Sequence, residues 1–301
     1  MTNASYTEFL NRVDAAGTDL FDLYNPFMEL NSRGGIEFDD SASSGLKYSV
    51  KLGRDSNPVV YVTWYSAIRF VNWLHNGQGS SDTESGAYTL LGGTPVPSNG
   101  TSITRDSGAR WFLPSEDEWY KAAYHNNDGP TANYWDYPTA TDTDAYSDQP
   151  PGGGAPNPSN TANFLKDDQL ANGYDDGFAV TGSPNFGFAN YLSDVGAYES
   201  SQSPYGTYDQ GGNAWEWTDV LIVPEGRVLR GGSWLEGDVS MSSRVVVMAS
   251  DDAGGNVGFR VATAIPEPSS LCLIGSELLL VLFAGWRRPR TSGSLHRHPS
   301  Y

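Results

Sequence analysis

The chain has 301 residues, enough for one large domain or two ordinary ones. Its 36 acidic side chains outnumber 18 basic ones, and before Ala264 the balance is 34 to 14; such a body repels phosphate backbones and excludes nucleic acid as a partner. The sole cysteine, Cys272, rules out an intramolecular disulfide and any paired-thiol zinc site.

With 17 Tyr, 12 Phe and 9 Trp, the core is expected to be aromatic rather than aliphatic. The 34 Gly and 18 Pro predict short elements joined by many turns. A first helix is expected from about residue 3, capped by Asn3 or Ser5, with Tyr6, Phe9, Leu10 and Val13 on one face. No basic and apolar leader precedes it, so no secretory signal peptide is expected in this chain. Short strands are predicted near 36–38 and 47–52, and Pro58 to Val62 reads as another. Thr63 can cap a helix from Trp64 to His75 with Trp64, Ile68, Val71 and Leu74 on its apolar face. Arg110 to Leu113 reads as a buried strand. Ser115 and Glu118 then form a capping box that opens a helix running to Tyr124.

From 126 to 210 the sequence loses all helical period. A loop stretch this long needs something to fix it, either bound cations or anchoring aromatics such as Tyr134, Trp135, Phe164, Phe178, Tyr191 and Tyr198. The segment Gly211-Gly212-Asn213-Ala214-Trp215-Glu216-Trp217 follows, a carboxylate between two indoles on a glycine-shaped loop. An acid among buried indoles needs a cation, an arginine or backbone donors as its partner. Short strands are predicted at 227–230, 244–248 and 257–262. Beyond Ile265 a rigid Pro266-Glu267-Pro268 spacer leads into an apolar run, 271–286, and then Arg287 and Arg288. Sixteen helical residues span about 24 Å, short of a hydrocarbon core of roughly 30 Å. Glu277 within the run adds a further cost, so a transient anchor is expected rather than a permanent one.

Five motifs occur in order: Pro58-Val-Val-Tyr-Val-Thr-Trp-Tyr-Ser-Ala67, Arg110-Trp-Phe-Leu-Pro-Ser-Glu-Asp-Glu-Trp119, Gly212-Asn-Ala-Trp-Glu-Trp-Thr218, Arg230-Gly-Gly-Ser-Trp234 and Asn256-Val-Gly-Phe-Arg260. Together they resemble the formylglycine-generating enzyme (sulfatase-modifying factor) family over residues 1–263. Residues 264–290 resemble a PEP-CTERM sorting signal, and 291–301 form a polar tail. The resemblance implies an α+β, C-type-lectin-like fold, loop-rich, with short strands and two or three short helices. The apolar run adds a C-terminal hydrophobic helix.

The resemblance also implies Ca²⁺ held by Asp209, Gly212, Ala214 and Glu216, and more weakly by Asn163, Phe164, Asp176 and Phe178. Hard oxygen donors suit that ion, although Asx turns are the plain alternative. The family's oxidases bind copper(I) through two cysteines, expected here between Met241 and Ser250. No thiol lies there, and Met248 alone is a weak ligand, so copper is not expected. His75 and His125 read as helix C-terminal residues complementing the dipole, not as an iron site. Ser242, Ser243 and Arg244 are the cleft residues for a different chemistry. Arg230 and Arg260 read as structural, pairing with buried acids or carbonyls.

The sorting signal implies an exosortase as partner, passage through the inner membrane, and release at the cell surface, with exopolysaccharide as a ligand. Export requires a leader, so the true start is expected upstream of Met1. The expected function is a calcium-stabilised, non-catalytic, surface-sorted binding module. The alternatives are a formylglycine-generating oxidoreductase and an enzyme of other chemistry in the same cleft.

Overall fold

Thr2 opens the first helix, α1 (Asn3–Val13), its hydroxyl accepting the Ser5 amide. The cap is therefore neither Asn3 nor Ser5; Asn3 is buried and gives its side-chain amide to the Arg54 carbonyl instead. Tyr6, Phe9 and Leu10 are fully buried against Phe70 and Trp73 of a later helix. A single helical turn, α2 (Phe27–Leu30), precedes an antiparallel pair, β1 (Ile36–Phe38) and β2 (Tyr48–Val50).

The segment 58–62 is buried but is not a strand. Val59 and Tyr61 give their amides to Met1 and Gly254, and Tyr61 has φ 63°, which breaks the extended run. Thr63 caps α3 (Trp64–His75) through the Ser66 amide. This helix is buried on nearly all sides, Arg69 and Asn72 included. Arg69 is satisfied by a bidentate pair with Glu84 at 2.6 and 3.0 Å, and Asn72 by the Thr83 and Tyr88 carbonyls. β3 (Trp111–Phe112) leads to α4 (Glu116–Tyr124), whose capping box forms in both directions between Ser115 and Glu118.

In the loop-rich middle, β4 (Tyr146–Ser147) pairs with β5 (Thr161–Ala162), and β6 (Leu165–Asp167) with β7 (Asp176–Phe178). Phe164, Phe178, Tyr191 and Tyr198 are buried anchors as expected. Tyr134 is not: it is 42% exposed and lies against Tyr120 and His125 on the surface.

The tryptophan segment is a strand rather than a loop. β8 (Trp215–Ile222) begins directly after the Gly211-Gly212 turn and forms a hairpin with β9 (Gly226–Arg230), bulged between Trp217 and Leu221. β10 (Val246–Met248) extends the sheet beyond β9, and β11 (Val257–Phe259) lies parallel to β8, giving the order β10-β9-β8-β11. The expected 257–262 strand divides at Arg260, since β12 (Ala262–Thr263) leaves this sheet to pair with β3.

The structure is a computed structural model that describes residues 1–263 apart from 81, 223–225 and 238–245, and these belong to one compact unit. The fold is mixed helix and strand and loop-rich, with four α-helices among the described residues where two or three were expected. The expected hydrophobic helix, the sorting signal with Pro266, Glu267, Pro268, Arg287 and Arg288, and the polar tail lie outside the described residues. No helix among the described residues is long and apolar enough to cross a membrane.

Candidate functional site

Strand period 2 turns Glu216 to the face opposite Trp215 and Trp217, yet all three are buried because both faces of the sheet are covered. Trp217 gives its indole N–H to the Val62 carbonyl, and Trp64 of α3 gives its own to Thr218. On the other face, Glu216 receives the Trp119 indole N–H of α4 at 2.6 Å. Arg260, just past β11, closes a bidentate pair with Glu216 at 2.5 and 2.6 Å and gives another N–H to the Tyr208 carbonyl. Burial works against the Arg260 charge, but Glu216, with Asp209 further off, holds its pKa above the usual arginine value. The open partner of the sequence is thus an arginine and an indole, supplied by two other family motifs.

The first proposed metal set is only partly assembled. Asp209, Ala214 and Glu216 line one cavity of about 260 Å³, and Gly212 is not among its walls. Asp209 sits at φ 55° with one oxygen on the Gly196 amide at 2.6 Å; burial raises its pKa. No donor reaches its other oxygen among the described residues, and Arg260 and the Met1 amino group are its cationic neighbours. Both oxygens of Glu216 accept from Arg260. The Met1 amino group, bonded to the Phe259 carbonyl at 2.6 Å, lines the same cavity, and burial lowers its pKa to about 6.

Of the second set, Asp176 and Phe178 line one cavity of about 250 Å³, and Asn163 and Phe164 are not among its walls. Asn163 keeps a buried side-chain oxygen without a hydrogen bond, as a ligand would. The Phe164 carbonyl accepts the Ser147 hydroxyl, and the Phe178 carbonyl accepts the Thr181 and Gly182 amides. Asp176 stands opposite Asp167 at the far end of the β6–β7 ladder, capping the Gly173 amide at 2.9 Å. Asn163 turns instead to Asn213, whose side-chain oxygen accepts from Asn163 and from Ser193. Asn213 is a hub with no role expected from the glycine motif that contains it; it adopts φ 62°, a conformation that asparagine tolerates better than most residues. Among the described residues, no group of three or more His, Cys, Asp or Glu could hold a metal.

His125 is buried and structural. Its Nδ1 accepts the Asn127 amide at 3.1 Å and meets the Tyr205 hydroxyl, and Nε2 faces the Thr131 carbonyl. His75 accepts the Arg110 amide. The two serve different loops and form no common site. Arg230 pairs with Glu116 of α4. Ser242, Ser243 and Arg244 lie outside the described residues.

The profile of the FGE-sulfatase, or sulfatase-modifying factor enzyme 1-like, domain matches residues 1–265. The chain belongs to the FGE-sulfatase family. Over 86 residues, 26% of this chain, it is 41% identical to the inactive C-alpha-formylglycine-generating enzyme 2 of Mus musculus and 37% identical to that of Bos taurus. The chain spans only 28% of the length of these curated relatives. Among solved structures, the one titled Crystal Structure of CarF is similar at TM-score 0.53 and 18% identity, covering 88% of this chain and 84% of that one. That likeness concerns the fold alone.

Within the family's frame, the Trp-Glu-Trp strand, the α4 indole and the Asn-Val-Gly-Phe-Arg arginine form one structural lock. The lock stands at the wall of the 260 Å³ cavity, which Glu216 and Arg260 both line.

Proposed function

We propose that this FGE-sulfatase domain is a binding module that has no copper-dependent formylglycine chemistry. The observation that carries the reading is the absence of any cysteine from residues 1–263, since the only thiol is Cys272. Copper(I) demands soft thiolate ligands, and serine hydroxyls or a lone thioether do not replace them. Both mammalian relatives are named inactive formylglycine-generating enzymes, which supports the reading. Incubation with copper and a cysteine-containing sulfatase peptide, followed by mass spectrometry, tests the proposal. The expected result is unmodified peptide, and conversion to the aldehyde would overturn it.

The finer parts of the reading are a C-type-lectin-like architecture, export, exosortase sorting through 264–290, and an exopolysaccharide ligand at the surface. They rest on the sequence resemblance, and replacement of Pro266, Glu267 and Pro268 by alanine should abolish surface release of a tagged full chain. Calcium belongs to the same proposal. Asp209 and the Ala214 carbonyl would hold the ion, with Gly212 adjoining, while Glu216 would share its carboxylate with Arg260. A ligand of the folded state raises the unfolding midpoint, so EGTA should lower it and added Ca²⁺ restore it. An unchanged midpoint would remove calcium from the proposal.

A further inference from the structure

On the sheet face that carries Trp215, away from the cavity shared by Asp209 and Glu216, lies a second cavity of about 290 Å³ lined from all four strands. Trp215, Leu229, Met248 and Val257 give it apolar walls, and Glu236 and Asn256 are its polar side chains. The carboxylate is held in place. The Ser233 hydroxyl, buried, donates to Glu236, and the Asn256 side-chain amide reaches Ser233 at 3.2 Å and Glu236 at 3.5 Å. Among the described residues Glu236 has no cationic partner, unlike Glu84, Glu116, Glu118 and Glu216, each paired with an arginine.

A carboxylate can accept about four hydrogen bonds, and neutral donors leave its charge uncompensated. An apolar pocket with few, fixed polar groups at its edge is the usual form of a small-ligand site. We propose that this cavity binds an organic ammonium group carrying a short apolar chain, the cation on Glu236 and the chain against Trp215, Leu229 and Met248. Neither a bare metal ion nor an anion fits the walls. Calcium needs six to eight oxygen donors, and an anion would face Glu236 on a body with 20 more acids than bases before Ala264. That same negative field concentrates organic cations near the surface.

The assignment deepens the binding-module reading and rests on it. It is tested on the full chain by chemical-shift titration of the Trp215 indole with n-pentylammonium, n-pentanol and pentanoate. The ammonium is expected to bind at least about tenfold more tightly than the alcohol, with pentanoate silent and added salt weakening only the ammonium. Glu236→Gln keeps the shape and the Ser233 hydrogen bond, and is expected to lower ammonium affinity about tenfold with alcohol binding unchanged. Equal binding of ammonium and alcohol, no perturbation by any of the three, or an unaffected Glu236→Gln variant would overturn the site. The peptide assay on the same preparation separates the two readings. If the peptide stays unmodified while ammonium fails to bind, only the ammonium site falls, whereas conversion of the peptide overturns the binding-module reading itself.

Discussion

Replacing Arg260 by methionine strands the Glu216 carboxylate in a buried strand with only the Trp119 indole as donor. Removing one partner of a buried pair typically costs roughly 3–5 kcal/mol, because the remaining charge keeps its desolvation penalty. For a domain of this size each kcal/mol moves the midpoint by about 2–4 °C, so Arg260→Met should unfold roughly 6–20 °C below wild type. Glu216→Leu alone should cost a comparable amount, leaving Arg260 with the Tyr208 carbonyl as its only acceptor. The double variant removes both charges and leaves mainly the Trp119 N–H unsatisfied, worth about 1–3 kcal/mol. Its expected loss is therefore smaller than either single loss and far below their sum. Urea unfolding of the four proteins, followed by tryptophan fluorescence, measures the cycle. A single variant within about 1 kcal/mol of wild type, or a double variant equal to the sum of the singles, would refute the lock.

Three further outcomes are expected. Gly212→Ala should fail to fold or lose several kcal/mol: its φ is 79° and the added Cβ would stand 2.3 Å from the Asn163 carbonyl oxygen. A soluble variant with a midpoint within a degree or two of wild type would contradict that geometry. Asp219 has its pKa raised to about 6 by burial, against the pull of Arg227 and Arg105, and one of its oxygens has no hydrogen bond. Because the folded state binds this proton more tightly than the unfolded chain, its contribution falls as pH rises from about 4 to about 6. Asp219→Asn should therefore gain up to about 3 kcal/mol on wild type across that window, and parallel stability–pH curves would rule the effect out. Trp217→Phe should lose about 1–3 kcal/mol through the stranded Val62 carbonyl and the lost ring area, read by the same urea titration.

Local signals were legible where one segment settles its own state. The Thr63 cap, the Ser115–Glu118 box and the apolar spacing of α1 and α3 fix helices within a few residues, because hydrogen bonds and side-chain period act over one turn. Thr2, Asn3 and Ser5 could each cap α1 by residue type, and only the hydrogen bond of Asn3 to the Arg54 carbonyl chooses. The 58–62 segment looked like a strand by composition, but among the described residues it makes only an isolated bridge from Pro58 to Thr2, and Tyr61 takes a positive φ. Met241 to Ser250 lacks a thiol whatever its shape, so the proposal that copper(I) is not used rests on the sequence alone. It also fixed the need of Glu216 for a partner, since an acid beside two indoles cannot stay alone. Which partner was a tertiary matter: Trp119, Arg260 and Glu216 stand 97 and 44 residues apart and meet only after α4 covers the sheet and β11 lies beside β8. The same holds for Glu236 and Asn256, which line one cavity although 20 residues separate them in the chain. Residue types and short-range period determine local elements and excluded chemistries, whereas convergence of distant side chains is set by how the sheet closes.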